Sequence, residues 1–368
     1  MGLLLTDDEK MLQESAEGFF ADKSPVSQLR ALRDERDATG FSAQLWAEMA
    51  EMGFTGVLVP EDQDGVDMGF MAAGLLAEQM GRNLSSSPFL STSVLAATAL
   101  KYAGTTHAQK FLAEIVSGKT LIALAVDEGG KHNPANMQFT ASPAGNGFKL
   151  NGKKSMVVDG HVADQIIVAA KTENGLTLFI VPANADGLQT ERTIMVDSRN
   201  AARMVFDDVE VTGAQVLGEV DKGADILNAV LNAGRAVLAA EMLGASAQVF
   251  ELTNEYLKER KQFGRIIGEF QALQHRMAHL YCEIELARTS VLAALSALDN
   301  NPKSAGSFVS MAKAKLGSVA KLAALESVQL HGGMGMTDEL DVGLYLKRIR
   351  VAQELFGDSA YHIEQISK

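Results

Sequence analysis

Residues able to do chemistry concentrate in two stretches of the last third of the chain. Arg260-Lys261-Gln262-Phe263-Gly264, followed by Gly268-Glu269-Phe270-Gln271, sets a guanidinium, amide donors and an aromatic edge close together. Those are the groups that a pyrophosphate and an adenine require, and they equally describe a helix break with a solvated basic end. In His331-Gly332-Gly333-Met334-Gly335-Met336 the glycines let the backbone approach a phosphate or a ring without a Cβ in the way. The run has no Lys-Ser/Thr pair and follows no strand, so it is neither a P-loop nor a Rossmann fingerprint. Taken alone it reads as a turn that ends a helix.

Other constellations point to less. His275 and His279 stand at i and i+4, the spacing of a metal pair. Arg276 lies between them and no third ligand is evident, so no metal site is expected and the imidazoles read as surface or interface groups. Cys282, inside a helical run and beside Glu283, reads as a packed thiol rather than a nucleophile. A Gly-x-Ser-x-Gly elbow is absent, which leaves hydrolysis without support.

These residues need elements to position them. Thr6-Asp7-Asp8-Glu9 is a capping-box start, and Leu12, Ala16, Phe19 and Phe20 then fall on one helical face. Trp46, Met49 and Met52 repeat the spacing, and further helices are expected over 69–81 and 91–117. After Gly118 the period shortens. Leu121–Val126, Ile166–Ala169 and Leu176–Val181 are β-prone runs, and Asn146-Gly147, Asn151-Gly152 and Asn174-Gly175 predict tight hairpins with antiparallel pairing. From residue 223 the helical period returns in long stretches, interrupted near Gln262-Phe263-Gly264 and at Asn300-Asn301-Pro302, which describes an antiparallel bundle.

Composition sets the outer limits. A chain of 368 residues suggests two or three domains. Apolar residues at 47% and charged residues at 21% fit a folded, soluble chain. A formal charge of −13 repels phosphate backbones and anionic membranes at long range, so neither nucleic acid nor membrane is an expected partner. The single cysteine suggests a reducing compartment, the cytoplasm. Acidic residues near the start exclude a secretory signal, and Met1-Gly2 does not continue as a myristoylation signal.

In order and spacing, Arg260-x-Gln262-Phe263-Gly264, Phe270-Gln271 and Gln329-Leu330-His331-Gly332-Gly333-x-Gly335 resemble the flavin-dependent acyl-CoA dehydrogenase family, and the likeness runs along the whole chain. Phe206-Asp207-Asp208-Val209-Glu210-Val211 with Val216-Leu217-Gly218 resembles the family's exit from its sheet domain, and the Gly332 loop with Glu339 its flavin-contacting turn. The resemblance implies an α+β fold with an N-terminal helical domain, a central small antiparallel β-barrel-like domain and a C-terminal four-helix bundle. The boundaries fall at 1–118, 119–222 and 223–368.

The resemblance further implies a tetramer or dimer with FAD between sheet and bundle, one subunit's arginine and its partner's Gln-x-x-Gly-Gly loop both reaching the cofactor. Arg260, Gln262, Phe263, Gln271, Gln329, Gly332 and Gly333 are the implied cofactor residues, and Arg235 the implied substrate contact. The implied reaction removes an α-proton and a β-hydride from an acyl-CoA thioester to give the trans-2-enoyl-CoA. Electrons then pass to an electron-transfer flavoprotein or similar acceptor.

The sequence departs from the family where a carboxylate base is needed. The commonest base position, near the C-terminus, is Gly357, and the alternative, just before Arg235, is Gly234. Glu241 remains, two turns beyond Gly234 or about 10.5 Å along a helix. Among Ala239, Ala240, Met242 and Leu243 its carboxylate is costly unless paired or functional. It is the candidate base, against a structural ion pair, for example with Arg260 or Lys258 of a neighbouring chain. Asp358 is a carbon shorter and one position off.

The family's usual substrate-binding stretch in the sheet domain appears as Val126–Pro134, and Lys154–Gly160 stands for its flavin-facing strand. Such drift resembles the paired subunits of heteromeric members, including those acting on sterol side chains. Besides the active dehydrogenase, two readings remain: a catalytically silent subunit of a heteromer with a second family chain, and a flavin monooxygenase on the same fold.

Overall fold

A computed structural model describes residues 4–367. Met1-Gly2, considered above as a myristoylation signal, lies outside the described residues. Helix α1 (Asp7–Lys23) starts as its sequence dictates: the Glu9 N–H donates to Thr6 Oγ1 at 3.2 Å and the Thr6 N–H donates to Glu9 Oε2 at 2.6 Å. Helices α2 (Val26–Asp34), α3 (Ala43–Glu51) and α4 (Gly69–Asn83) follow. The single helix expected over 91–117 is three pieces: a wide π-helical stretch (Phe89–Ala96), α5 (Ala97–Ala103) and α6 (Thr106–Val116). Gly104 turns left-handed at φ 60° and Thr105 caps α6 through the Ala108 N–H, which is why the run breaks there.

Eight strands form one sheet: β1 (Ile122–Ala125), β2 (Thr140–Ala144), β3 (Gly147–Val158), β4 (Gln165–Lys171), β5 (Leu176–Pro182), β6 (Leu188–Ile194), β7 (Asn200–Thr212) and β8 (Val216–Leu217). The order is β6-β7-β3-β2-β4-β5-β8, with β1 beside β4. Most pairs are antiparallel, but β1–β4 and β2–β4 are parallel. The sheet is open, with β6 and β8 at the ends of the order among the described residues, so the barrel-like expectation is corrected to an unclosed sheet. Two of the Asn-Gly pairs sit at hairpins, between β2 and β3 and between β4 and β5. Asn151-Gly152 does not. It forms a bulge inside β3, where Gly152 takes φ 137° against Phe139 and the Asn151 amide exchanges hydrogen bonds with Asp208.

Helix α7 (Gly223–Glu259) is followed by the short strands β9 (Lys261–Gln262) and β10 (Arg265–Ile266), then by α8 (Gln271–Asn300), α9 (Ala305–His331), α10 (Val342–Glu354) and α11 (Ser359–Ser367). One window of α7 is apolar enough to cross a membrane, but 83% of it is buried, as suits a core helix.

Backbone proximity divides the chain into two compact units. One comprises Leu32–Gly69 and Ser86–Gly234 and contains the sheet. Its core is the apolar run of β4 and β5, buried from Ile166 to Ala170 and from Thr177 to Val181. The other comprises Met1–Ala31, Phe70–Ser85 and Arg235–Lys368. There α4 lies against α7 so closely that a Cβ on Gly81 would overlap the Glu241 carbonyl, and one on Gly244 the Glu78 carbonyl. Asp299, near the end of α8, receives the Phe70 and Met71 N–H groups at 2.7 and 2.9 Å and so caps the start of α4.

Candidate functional site

A cleft of about 880 Å³ opens in the helical unit. Its walls are the end of α7 with Tyr256 and Arg260, the β9–β10 hairpin with Gln262 and Phe263, the start of α8 with Phe270 and Arg276, and the end of α9 with Gln329, His331, Gly332 and Gly333. Six of the seven residues expected to hold a cofactor therefore line one space. Gln271 is the exception. It is the first residue of α8 and exposed, while its neighbours Phe270 and Ala272 face the cleft. The arginine and the glycine loop, assigned above to two different subunits, stand around the same cleft within this one chain.

Local geometry explains how each wall arises. Phe263 and Gly264 take φ 55° and 81°, the paired positive angles of a tight two-residue hairpin. A phenylalanine is strained there, and its ring is 90% exposed, resting edge-on against Phe270 at 6.1 Å. The Arg265 guanidinium also lies over Phe270, 4.4 Å from the ring centroid. Gly332 ends α9 at φ 60° and ψ −139°, a conformation open to glycine almost alone. A Cβ on Gly332 or Gly333 would meet nothing within 4 Å, so both positions face open space.

Electrostatics are uneven. Arg276 is paired with Glu326 at 2.6 Å, whereas among the described residues Arg260 has no ion pair. Tyr256 was missed by sequence reasoning, and His331 entered it only as part of the glycine motif, with no role of its own. Their rings stack at 4.2 Å, the Tyr256 hydroxyl donates to the His331 carbonyl at 3.4 Å, and His331 Nδ1 lies 2.7 Å from the Ser327 carbonyl. Burial lowers the His331 pKa, against the Ser327 hydrogen bond, which favours the neutral ring with Nδ1 protonated. The available signal was spacing, since Tyr256 sits one turn before Arg260 on the same helix face.

Glu241 and Arg235 do not line this cleft. Glu241 is buried on α7, its carboxylate 3.2 Å from Nη1 of Arg348 on α10, with the two side chains 11% and 1% exposed. Arg348 also donates to the carbonyls of Leu84 and Ser85. The ion pair is therefore made within the chain, not with Arg260 or Lys258 of a neighbour as suggested above, because α10 carries a buried arginine past α7. Arg235 donates from Nε to the Phe356 carbonyl at 3.0 Å and from Nη2 to the Tyr361 hydroxyl at 3.2 Å, and its guanidinium lies over the Tyr361 ring. Gly357, next in the chain to Phe356, has the Tyr361 ring where a Cβ would stand. Asp358 accepts the Tyr361 N–H at 2.8 Å and caps α11.

In the sheet unit, the segment after β1 is fastened rather than open. Lys154 is buried and donates to the Val126 carbonyl and to Glu128 at 3.0 and 2.9 Å, with its ammonium over the Phe139 ring. Burial pulls the Lys154 pKa down against the opposing pull of Glu128. His132 is bonded to Asp127 at 2.7 Å. Cys282 is exposed on α8, which corrects the expectation of a packed thiol: it lies beside the exposed Tyr281, on the helix side away from the buried Leu280 and Ile284. His275 and His279 are exposed, and no cluster of metal-ligating side chains occurs among the described residues.

Comparison with known proteins supplies independent context. The N-terminal domain of acyl-CoA dehydrogenases matches residues 6–119, the middle domain residues 123–209 and the C-terminal domain residues 221–368. An acyl-CoA dehydrogenase of Bacillus subtilis is 30% identical, over 99% of this chain and 98% of its own length. A subunit of the caffeyl-CoA reductase–Etf complex of Acetobacterium woodii is 29% identical, over 95% of this chain and 94% of its own. The solved Tcur3481-Tcur3483 steroid ACAD superposes with a TM-score of 0.90 at 30% identity, covering 98% of this chain and 97% of that one.

Proposed function

Because the chain belongs to the acyl-CoA dehydrogenase family, an FAD-binding family of oxidoreductases, we propose that its helical cleft holds the adenosine diphosphate part of FAD in the α,β-dehydrogenation of an acyl-CoA thioester to the trans-2-enoyl-CoA. The observation that carries this is the convergence of Arg260, Gln262, Phe263, Gln329, Gly332 and Gly333 on one cleft. The donor set fits the group. The Arg260 guanidinium would take the diphosphate, the glutamine amides would serve polar atoms, Phe263 offers an aromatic edge, and the glycine wall admits close approach. Gln271, beside the cleft, would extend the amide set. Bound FAD would supply the acceptor for the hydride lost from the acyl β-carbon. The chain's own task is to orient cofactor and thioester and to hold the α-proton once it is removed.

That last task separates two readings. In the active dehydrogenase Glu241 takes the proton and Arg235 contacts the substrate. In the second reading the chain is the silent subunit of a heteromer, and the Glu241–Arg348 pair favours it, since this carboxylate is already engaged by a buried guanidinium and does not line the cleft. The pairing of two chain names in the solved steroid ACAD agrees with such an assembly, and the Etf complex relative with an electron-transfer flavoprotein as acceptor. We place either form in the cytoplasm, and divide the chain into domains at 1–118, 119–222 and 223–368. The test is to purify the chain alone, record its visible spectrum and titrate it with a panel of acyl-CoAs. An active enzyme is yellow and bleaches with at least one of them, and Glu241→Gln abolishes the bleaching. Normal bleaching by that variant removes Glu241 as base, and colour or turnover only after co-expression with a second family chain selects the heteromer.

A further inference from the structure

The glycine-rich wall of the cleft packs against α9 at Gly335, which is buried and so close to Val328 that a Cβ would overlap its carbonyl, but the residues on either side of that point are open. A Cβ at Gly332 or Gly333 meets nothing within 4 Å, and Met336 is 80% exposed. On one side the wall hangs from α9, where the Gly332 N–H donates to the Gln329 carbonyl. On the other, the Thr337 N–H and hydroxyl reach back only to Met334, at 3.1 and 2.8 Å. The next firm attachment comes from more than three hundred positions away in the sequence: Arg30 of α2 donates from Nε and Nη2 to Asp341 Oδ1 at 2.9 and 2.7 Å and from Nη1 to Asp338 Oδ2 at 3.1 Å. Asp341 in turn starts α10, its carbonyl accepting the Leu344 N–H at 2.8 Å.

We propose that Arg30 is a positioning residue for the cofactor cleft: by clasping Asp338 and Asp341 it holds the Gly332–Met336 wall in the shape that receives the ligand. The proposal rests on the reading of the cleft as the FAD site. A planar guanidinium can bridge two carboxylates at once, whereas an ammonium is a point charge that cannot reproduce the fork. Without the clasp the wall samples more conformations, and the ligand must order it on binding, which weakens affinity without removing any ligand contact.

The test compares wild type with Arg30→Ala, Arg30→Lys and the double variant Asp338→Asn/Asp341→Asn. FAD and ADP dissociation constants are measured by fluorescence titration, and backbone hydrogen exchange over residues 332–341 is followed in the ligand-free protein. Arg30→Ala is expected to weaken both ligands about tenfold, a size typical of ordering one short loop, and to speed exchange in that segment while α8 keeps its protection. Arg30→Lys recovers part of the loss, and the aspartate double variant matches Arg30→Ala with no further loss when combined. Dissociation constants within twofold of wild type, or unchanged exchange over 332–341, overturn the proposal. If wild type binds neither FAD nor ADP, the cleft reading is what fails, and the exchange measurement still decides whether Arg30 holds the wall.

Discussion

Single residues carry the contrast between chemistry and architecture in this chain. Glu241 and Arg348 form a buried pair, so removing one partner strands a charge, a loss of about 3–5 kcal/mol in comparable sites. Arg348→Met is therefore expected to destabilise strongly in urea unfolding, whereas Glu241→Gln/Arg348→Met together should recover much of the loss, because the stranded carboxylate goes with its partner. Equal stability of the single and double variants would show that the pair contributes through something other than charge. Gly332 belongs to the same scale. Its backbone angles of 60° and −139° suit glycine alone, while the space around it is open. Gly332→Ala should then cost about 1–3 kcal/mol through backbone strain rather than collision, and weaken FAD binding by distorting the wall; a variant with wild-type stability and affinity contradicts both.

Elements show where sequence reasoning holds and where tertiary packing overrides it. The Thr6 capping box, the hairpin after β4 and the break at Phe263-Gly264 were all legible, because each is fixed by residues a few positions apart. Asn151-Gly152 misled, since the same dipeptide serves a bulge once Phe139 and Asp208 pack against it, and those contacts lie far along the chain. Lys313 on α9 was invisible for the same reason. Its buried ammonium donates to the carbonyls of Ala352, Gln353 and Gly357 at 2.9, 3.0 and 3.0 Å, tying the end of α10 to α9. Burial, reinforced by Arg235, brings its pKa down to about 7 from 10.5. Between those two values the unfolded chain binds more protons than the folded one, so this group makes stability rise with pH across that window and leaves it flat on either side. Urea unfolding at intervals from pH 6 to 10 should show the slope, and Lys313→Met should remove it while leaving three carbonyls without their donor. A slope that survives the substitution belongs to other groups.

At the scale of the whole molecule, the fold class was readable from the alternation of periods, helical then two-residue then helical, but the gathering of the site was not. Arg260 and Gly332 are separated by all of α8 and α9, and only the antiparallel return of those helices brings them to one cleft. The sequence identified the residue types that suit a diphosphate; it had no means of showing that Arg348 would reach Glu241 or that Tyr256 would stack on His331. If the cleft is where the native state gains its ligand, the consequence must appear in the stability of the molecule that carries it. Ligand bound to the folded state alone stabilises by about 2.7 kcal/mol at a free concentration one hundred times the dissociation constant. Thermal unfolding of wild type should thus shift upward with added FAD, and to a smaller extent with ADP, since ADP lacks the flavin's further contacts. Arg260→Ala removes the one guanidinium of the cleft without an ion pair among the described residues, and it should raise the FAD concentration needed for a given shift about tenfold or more while leaving the ligand-free unfolding temperature nearly unchanged, because Arg260 is exposed and supports no core packing. An FAD-dependent shift of the same size in wild type and Arg260→Ala would mean that the cofactor is held elsewhere, and the cleft would have to be explained as a surface for some other ligand.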